Sequence, residues 1–508
     1  MQKKFKHAIS LMTVLVIGVT GCAKEDNYYK EKYRPQYHFS PEEKWMNDPN
    51  GMVYYEGKYH LFYQHNPEDT IWGPMHWGHA ISTDMVTWKH LPIALEPDDL
   101  GTIFSGSAVI DHNNSSGFFD NGSGIVAIYT NHKEGQTQSI AFSKDSGKTF
   151  DKYEGNPVLK SDYSIDFRDP KVFWHEETQK WVMVLAVGDR VEFYNSSDLK
   201  NWQYLSKFGP YVGARGGVWE CPELFELPVD GDMSKMKWVL KVDLGDRAVA
   251  GGSGGQYFIG HFDGTEFIND NPKNTVLWLD YGADFYASQS WSNAKATDGS
   301  YYWLAWMNNW KYANVIPTGV WRGQMSIPRK VSLKSFPEGI RLVQTPVEEL
   351  KSLRYGSKTI KDETITPEKN ILKKYSGDSY EIIAEFELGT AEEFGFKLRK
   401  SDSEETVVSY NTKLKNISVN RANSGNVSFN ENFKRKFTAE LNPLDNKVKM
   451  HIFIDASSIE LFANDGEVVM TNLIFPDPNS KDLELFSIGG DVRVEKLEFH
   501  KLRSSWKK

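Results

Sequence analysis

The chain has 508 residues, of which 25% are charged and 14% aromatic, with 16 tryptophans and a net charge of −9. That length allows two or three domains, and the mean hydropathy of −0.53 describes a soluble globular body. No basic run is long enough for a nucleic-acid surface, and two cysteines, Cys22 and Cys221, exclude a disulfide framework.

The first 21 residues read as an export signal. Lys3, Lys4 and Lys6 precede an apolar stretch over 8–19 that is too short to be a stable bilayer anchor. Val19-Thr20-Gly21-Cys22 resembles a bacterial lipobox, in which cleavage precedes the cysteine and a diacylglycerol is added to its thiol. Cys22 is therefore the expected lipidation site, and residues 22–34 a polar tether to a lipid membrane. This places the protein in a bacterial cell envelope as an exported lipoprotein. Whether it faces the periplasm or the outside stays open.

From 35 to 335 the pattern is many short strands and tight turns, with no long helical periodicity. Gly51-Met52-Val53-Tyr54-Tyr55, Glu56-Gly57 and Lys58-Tyr59-His60-Leu61-Phe62 spell a hairpin. Ser82-Thr83-Asp84 recurs as Ser143-Lys144-Asp145 and Ser196-Ser197-Asp198, with the aspartates 61 and 53 residues apart. A repeat of that size, built from a few short strands, suits five or six radial propeller blades. The repeated aspartates are expected to close turns through their side chains. Residues 336–355 read as a linker, with a short helix opened by Pro346. Alternation resumes over 356–508, as expected of a β-sandwich. Tryptophan nearly vanishes there, so any aromatic binding surface is expected upstream.

Three carboxylates lie in proline-flanked settings: Asp48 in Trp45-Met46-Asn47-Asp48-Pro49-Asn50-Gly51, Asp169 in Arg168-Asp169-Pro170, and Glu220 in Trp219-Glu220-Cys221-Pro222. Cleaving a glycosidic bond takes acids of this kind, brought from distant parts of a fold to one sugar. The amides of Asn47 and Asn50 should hold Asp48 as an anion, and Gly51 should let the backbone approach a ligand. Arg168 should keep Asp169 ionised, while apolar neighbours should raise the carboxyl pKa of Glu220. His65, His76 and His79 lack a fitting carboxylate or third imidazole for catalytic zinc, and no metal or other cofactor is expected; His79 is placed near the pocket.

These motifs, with Phe104-Ser105-Gly106-Ser107, Trp72-Gly73-Pro74-Met75-His76-Trp77 and Asp284-Phe285-Tyr286-Ala287, resemble the hallmarks of glycoside hydrolase family 32, the β-fructofuranosidases. The resemblance runs from about Tyr33 to the C-terminus and is nearest to bacterial levanases. It implies an all-β chain, a five-bladed β-propeller followed by a C-terminal β-sandwich. It also implies retaining hydrolysis at C2 of a fructosyl unit. In that scheme Asp48 would be the nucleophile, Glu220 the general acid/base and Asp169 the transition-state stabiliser. Asn47, Gln64, Trp72, Phe104, Ser105, Arg168, Tyr286 and Trp306 would line the fructosyl subsite. Fructan chains and sucrose would be the substrates, and the protein is expected to be a monomer. A retaining site would hold Asp48 and Glu220 about 5–5.5 Å apart. Exo and endo cleavage, β-2,6 and β-2,1 linkage, and hydrolysis against fructosyl transfer remain alternatives. A non-catalytic fructan sensor is disfavoured by the three intact acids.

Overall fold

The structure, a computed structural model, describes residues 29–120 and 122–506. The export signal and Cys22 lie outside the described residues. Strands dominate, and the helical segments among the described residues are short 3₁₀ turns such as Glu348–Leu353. The chain is all-β.

The first sheet is a meander whose opening hairpin joins Lys44–Tyr55 to Lys58–Asn66. Glu56 and Gly57 both have positive φ (48° and 77°), the backbone that a two-residue hairpin turn requires. The short strand Trp321–Arg322 pairs parallel with Lys44 and Trp45, so residues far along the chain complete the edge of this sheet. Two further meanders start at Thr102–Asp111 and Arg168–His175. A nine-stranded sheet follows. One part begins at Trp219–Val229, the other contains Tyr286–Ser290, and a single parallel pair, Val229 with Leu333, joins them. The leading strands pack side by side in sequence: the Asp48 strand beside Thr102–Asp111, then Arg168–His175, Trp219–Val229 and Tyr286–Ser290, which returns to the Asp48 strand.

The repeated Ser-x-Asp units close turns as expected. Asp84 Oδ1 accepts the Val86 and Thr87 amides, Asp145 Oδ1 those of Lys148 and Thr149, and Asp198 Oδ1 those of Lys200 and Asn201.

The stretch read as a linker differs from expectation. Residues Gly339–Pro346 form a strand paired along its length with Arg329–Phe336. Pro346 ends that strand instead of opening a helix, and the helical turn that follows is 3₁₀. The expected tether also differs at its end. Arg34 is buried, pairs with Glu31 and lies over the Trp321 ring, while Tyr29 stacks on Trp506 at 4.1 Å. Aromatic and guanidinium faces hold 29–34 against the body.

The C-terminal part is a six-stranded and a five-stranded sheet that share one apolar core, including Ile382, Phe386, Phe396, Val408, Ile452 and Leu461. Its seam with the N-terminal sheets is polar. Arg329 pairs with Asp280 and Glu460, Arg421 with Asp284, and His38 with Asp455 and Glu460, all of them buried. Buried charges persist only when paired in this way.

Candidate active site

Five strands deliver the chemistry-bearing residues, and each is irregular where it does so. Ladder registers shift between Met46 and Pro49, Ile103 and Gly106, Arg168 and Lys171, Glu220 and Glu223, and Tyr286 and Gln289. Bulges re-aim side chains and relieve the backbone of pairing. This explains the prolines: Pro49, Pro170 and Pro222 stand in strands where the missing N–H is tolerated because the ladder is already broken. Asp169, Cys221 and Ala287 take positive φ there (62°, 46° and 55°). Such non-glycine residues cost of order 1–3 kcal/mol each and are held only by their surroundings.

Asp48 is 8% exposed. Ser105 Oγ donates to its Oδ2 at 2.7 Å and Asn47 Nδ2 to its Oδ1 at 3.1 Å. The Trp45 indole N–H donates to Asn47 Oδ1, which fixes that amide with its nitrogen towards Asp48. Burial, opposed by the Ser105 bond, still pushes the Asp48 carboxyl up to about 6. Asn50 does not help, because its amide donates to the Pro49 carbonyl and its Oδ1 accepts Gln64. Gly51 is small for packing: a Cβ would lie 2.7 Å from Phe62 and Trp77.

The Cys221 thiol lies 3.6 Å from both Asp48 Oδ2 and Asp169 Oδ2, and the Cys221 amide donates to Asp169 at 2.9 Å. Two acids 121 positions apart in sequence thus share one neighbour, which follows directly on the third, Glu220. The Arg168 guanidinium favours the Asp169 anion, as expected, but burial works against it. Burial outweighs the guanidinium, and the Asp169 carboxyl rises to about 7. Arg168 also contacts Glu220 at 3.1 Å and Asp166 at 2.6 Å, braced by Gln136.

Glu220 departs from its expected apolar setting. Arg168 and the Tyr286 hydroxyl donate to its carboxylate, while the Trp219 indole packs towards Phe258. Neighbours along a strand face opposite ways, so Trp219 cannot line the same side as Glu220.

The remaining expected residues divide. Trp72 is 43% exposed, edge-on to Phe104 at 6.0 Å. Trp306 is buried between Trp45 and Trp310, and its indole N–H has no protein partner. Gln64 braces Asn50 and the Ile103 carbonyl. His79 stacks on Phe62 and hydrogen-bonds His60, and no contact ties it to the acids.

Sequence reasoning missed Lys241 and Asp243. Both are buried, and Asp243 sits across the ladder from Glu220. The Lys241 ammonium donates to Asp243, to the Cys221 carbonyl (3.0 Å) and to the Ser288 carbonyl (2.9 Å), tying the Glu220 and Tyr286 strands together. A lysine and an aspartate two apart in an otherwise apolar run, Trp238-Val239-Leu240-Lys241-Val242-Asp243, were the available signal.

The model of the glycosyl hydrolase family 32 N-terminal domain matches residues 38–346, and that of the family 32 C-terminal domain matches 349–501. The chain belongs to glycosyl hydrolase family 32. Every residue of the site lies within the family's N-terminal domain, whose limit at 346 coincides with the end of the strand Gly339–Pro346. Relatives span the length of this family 32 chain. A Bacillus subtilis levanase is 55% identical over 513 residues, covering 100% of this chain and 76% of that protein. A levanase of Bacillus sp. strain L7 is 44% identical, covering 95% of this chain, which spans about half (53%) of that longer protein. The crystal structure of an Aspergillus awamori exo-inulinase superposes with a TM-score of 0.88 at 39% identity, covering 94% of this chain and 100% of that one.

Proposed function

We propose that this family 32 enzyme is a retaining β-fructosidase that releases fructose from the non-reducing ends of levan, and also acts on inulin or sucrose. The observation that carries the reading is the convergence of Asp48, Asp169 and Glu220 around Cys221, with Arg168 and Tyr286 on the third acid. In this scheme the Asp48 carboxylate attacks C2 while Glu220 protonates the departing oxygen, giving a fructosyl ester and a free alcohol. Glu220 then takes a proton from water as the water attacks C2, and Asp48 leaves as the carboxylate. Two inversions give net retention. Asp169 accepts hydrogen bonds from substrate hydroxyls more strongly as positive charge grows on the ring. The exposed indole of Trp72, edge-on to Phe104 beside Ser105, suits contact with a furanose ring.

The packing of five leading strands back onto the first supports a five-bladed propeller, with the C-terminal sheets as a sandwich. The paired strand up to Pro346 favours a propeller that extends to that residue. Export and lipidation at Cys22 complete the proposal, with a monomer as the working unit; metabolic labelling with a radioactive fatty acid, lost in Cys22→Ala, tests the anchor.

The decisive experiment is product chromatography from levan, inulin and sucrose, with the anomer of released fructose followed by NMR. Fructose from the start, first as the β-anomer, supports the reading. Early oligosaccharides would overturn exo action, and the α-anomer would overturn retention.

A further inference from the structure

Two residues beside the contact between Glu220 and Tyr286 are strained in the same way. Cys221, which follows Glu220, has φ of +46°, and Ala287, which follows Tyr286, has φ of +55°. Both sit at ladder breaks, where strand pairing does not hold the backbone. A single side chain reaches both places. The Lys241 ammonium, on the strand Asp232–Leu244, donates to the Cys221 carbonyl at 3.0 Å. It also donates to the carbonyl of Ser288, the residue after Ala287, at 2.9 Å. Its third acceptor is Asp243, and both members of the pair are buried.

Stability alone does not account for such a pair. Taking two charges out of water offsets most of their attraction, and apolar or neutral replacements of similar size are often harmless to a fold. The Asp232–Leu244 strand is already paired with Trp219–Val229 along most of its length. What the ladder does not supply is a link between Glu220 and Tyr286, whose strands lie in one sheet but do not pair with each other. Lys241 supplies that link. Asp169 depends on it less, although the Cys221 amide bonds its carboxylate. Its own amide donates to Thr130 Oγ1 at 3.1 Å, and Lys171, two residues on, is tied to Glu223 at 2.8 Å and to Ser290.

We propose that Lys241 and Asp243 are positioning residues for the acid step. They hold the Cys221 and Ala287 bulges so that the Tyr286 hydroxyl meets the Glu220 carboxylate where the departing oxygen takes its proton. Both act through other residues, Lys241 on the two carbonyls and Asp243 by fixing the ammonium. The proposal rests on the assignment of Glu220 as the proton donor.

The test compares wild type with Lys241→Met/Asp243→Asn, which removes both charges and leaves neither unpaired. Substrates are sucrose and an aryl fructoside with a good leaving group, which needs little help from an acid. The double variant is expected to lose about tenfold to a hundredfold in kcat/KM on sucrose, carried by kcat, and no more than about threefold on the aryl fructoside. Its melting temperature should be unchanged or higher. Equal losses on the two substrates would make the pair merely structural and overturn the proposal, as would no loss on sucrose. If the double variant does not fold, Asp243→Asn loosens Lys241 without removing it, with an expected difference between the substrates of at least about threefold; no difference there overturns the proposal too. Glu220→Gln is measured alongside. Equal losses in that variant would bring down the acid assignment itself, so the two failures are distinguishable.

Discussion

The Ser105 hydroxyl donates to Asp48 Oδ2 at 2.7 Å across two different sheets, and it is the main protein contact opposing the upward push of burial on that carboxyl. A nucleophile with a pKa of about 6 is ionised only above that pH. Removing the hydroxyl in Ser105→Ala takes away a bond that favours the anion, so the acidic limb of kcat/KM should move to higher pH, by up to about one unit. A pH profile on sucrose measures it. A limb that stays in place or moves downward would mean that Asp48 does not set it.

Asp48→Asn should lower turnover by at least about a thousandfold while making the fold more stable. The sign follows from the raised carboxyl. The native state holds this proton more tightly than the unfolded chain, so stability conferred by the neutral acid is fully present below pH 3.8 and lost as pH rises through about 6. Above that, the buried anion costs up to about 2–3 kcal/mol, which asparagine avoids. Thermal melting at pH 5 and pH 7.5 should show the gap between variant and wild type widening at the higher pH.

Glu220→Gln should damage hydrolysis of sucrose and fructans far more than hydrolysis of aryl fructosides with good leaving groups, by about a hundredfold or more in relative kcat/KM. Phenolate leaves without a proton, whereas a sugar alkoxide does not. Equal losses on both substrate types would reassign the proton donor.

His38 lies in the seam between the N-terminal sheets and the C-terminal pair, and predicts a loss of stability over a higher pH range. Burial alone would lower its pKa, but hydrogen bonds to Asp455 and Glu460 outweigh it and raise the imidazole to about 9. The charged histidine therefore stabilises fully below pH 6.5, and its contribution of about 3 kcal/mol disappears as pH rises through about 9. His38→Gln should melt well below wild type at pH 6, with the difference shrinking by pH 9.5. A constant difference across that range would show that the pair carries no net charge effect.

Much of the site was legible because its residues are local motifs: a carboxylate, a proline one or two positions on, and a small residue at the bend. Those prolines mark bulges, and bulges are where strands turn side chains into a pocket. What the sequence hid was which neighbours meet in space. Trp219 adjoins Glu220 in the chain yet faces away from it, so the expected apolar surroundings give way to Arg168 and Tyr286 from other strands. Arg168 acts on its neighbour Asp169, but its guanidinium also reaches Glu220 and Asp166, contacts that adjacency in the chain does not reveal. Lys241 read as one position in a core strand because its three acceptors come from segments that only folding assembles. The alternation over 339–346 was passed over because a proline at 346 resembles a helix start as much as a strand end.

The segment 281–284 hydrogen-bonds the C-terminal strand Val468–Leu473 through the Tyr281 amide to Val469, the Asp284 amide to Thr471 and the Asp284 carboxylate to the Leu473 amide. Tyr286, which grips Glu220, follows two residues later. The tryptophan-poor C-terminal part therefore works as a splint for the reacting centre, although it lends no side chain to it. A protease cut in the exposed turn near Lys351 should leave the two parts clasped and active, whereas deleting the C-terminal part should slacken Tyr286 and silence the enzyme even where the remaining sheets hold their shape.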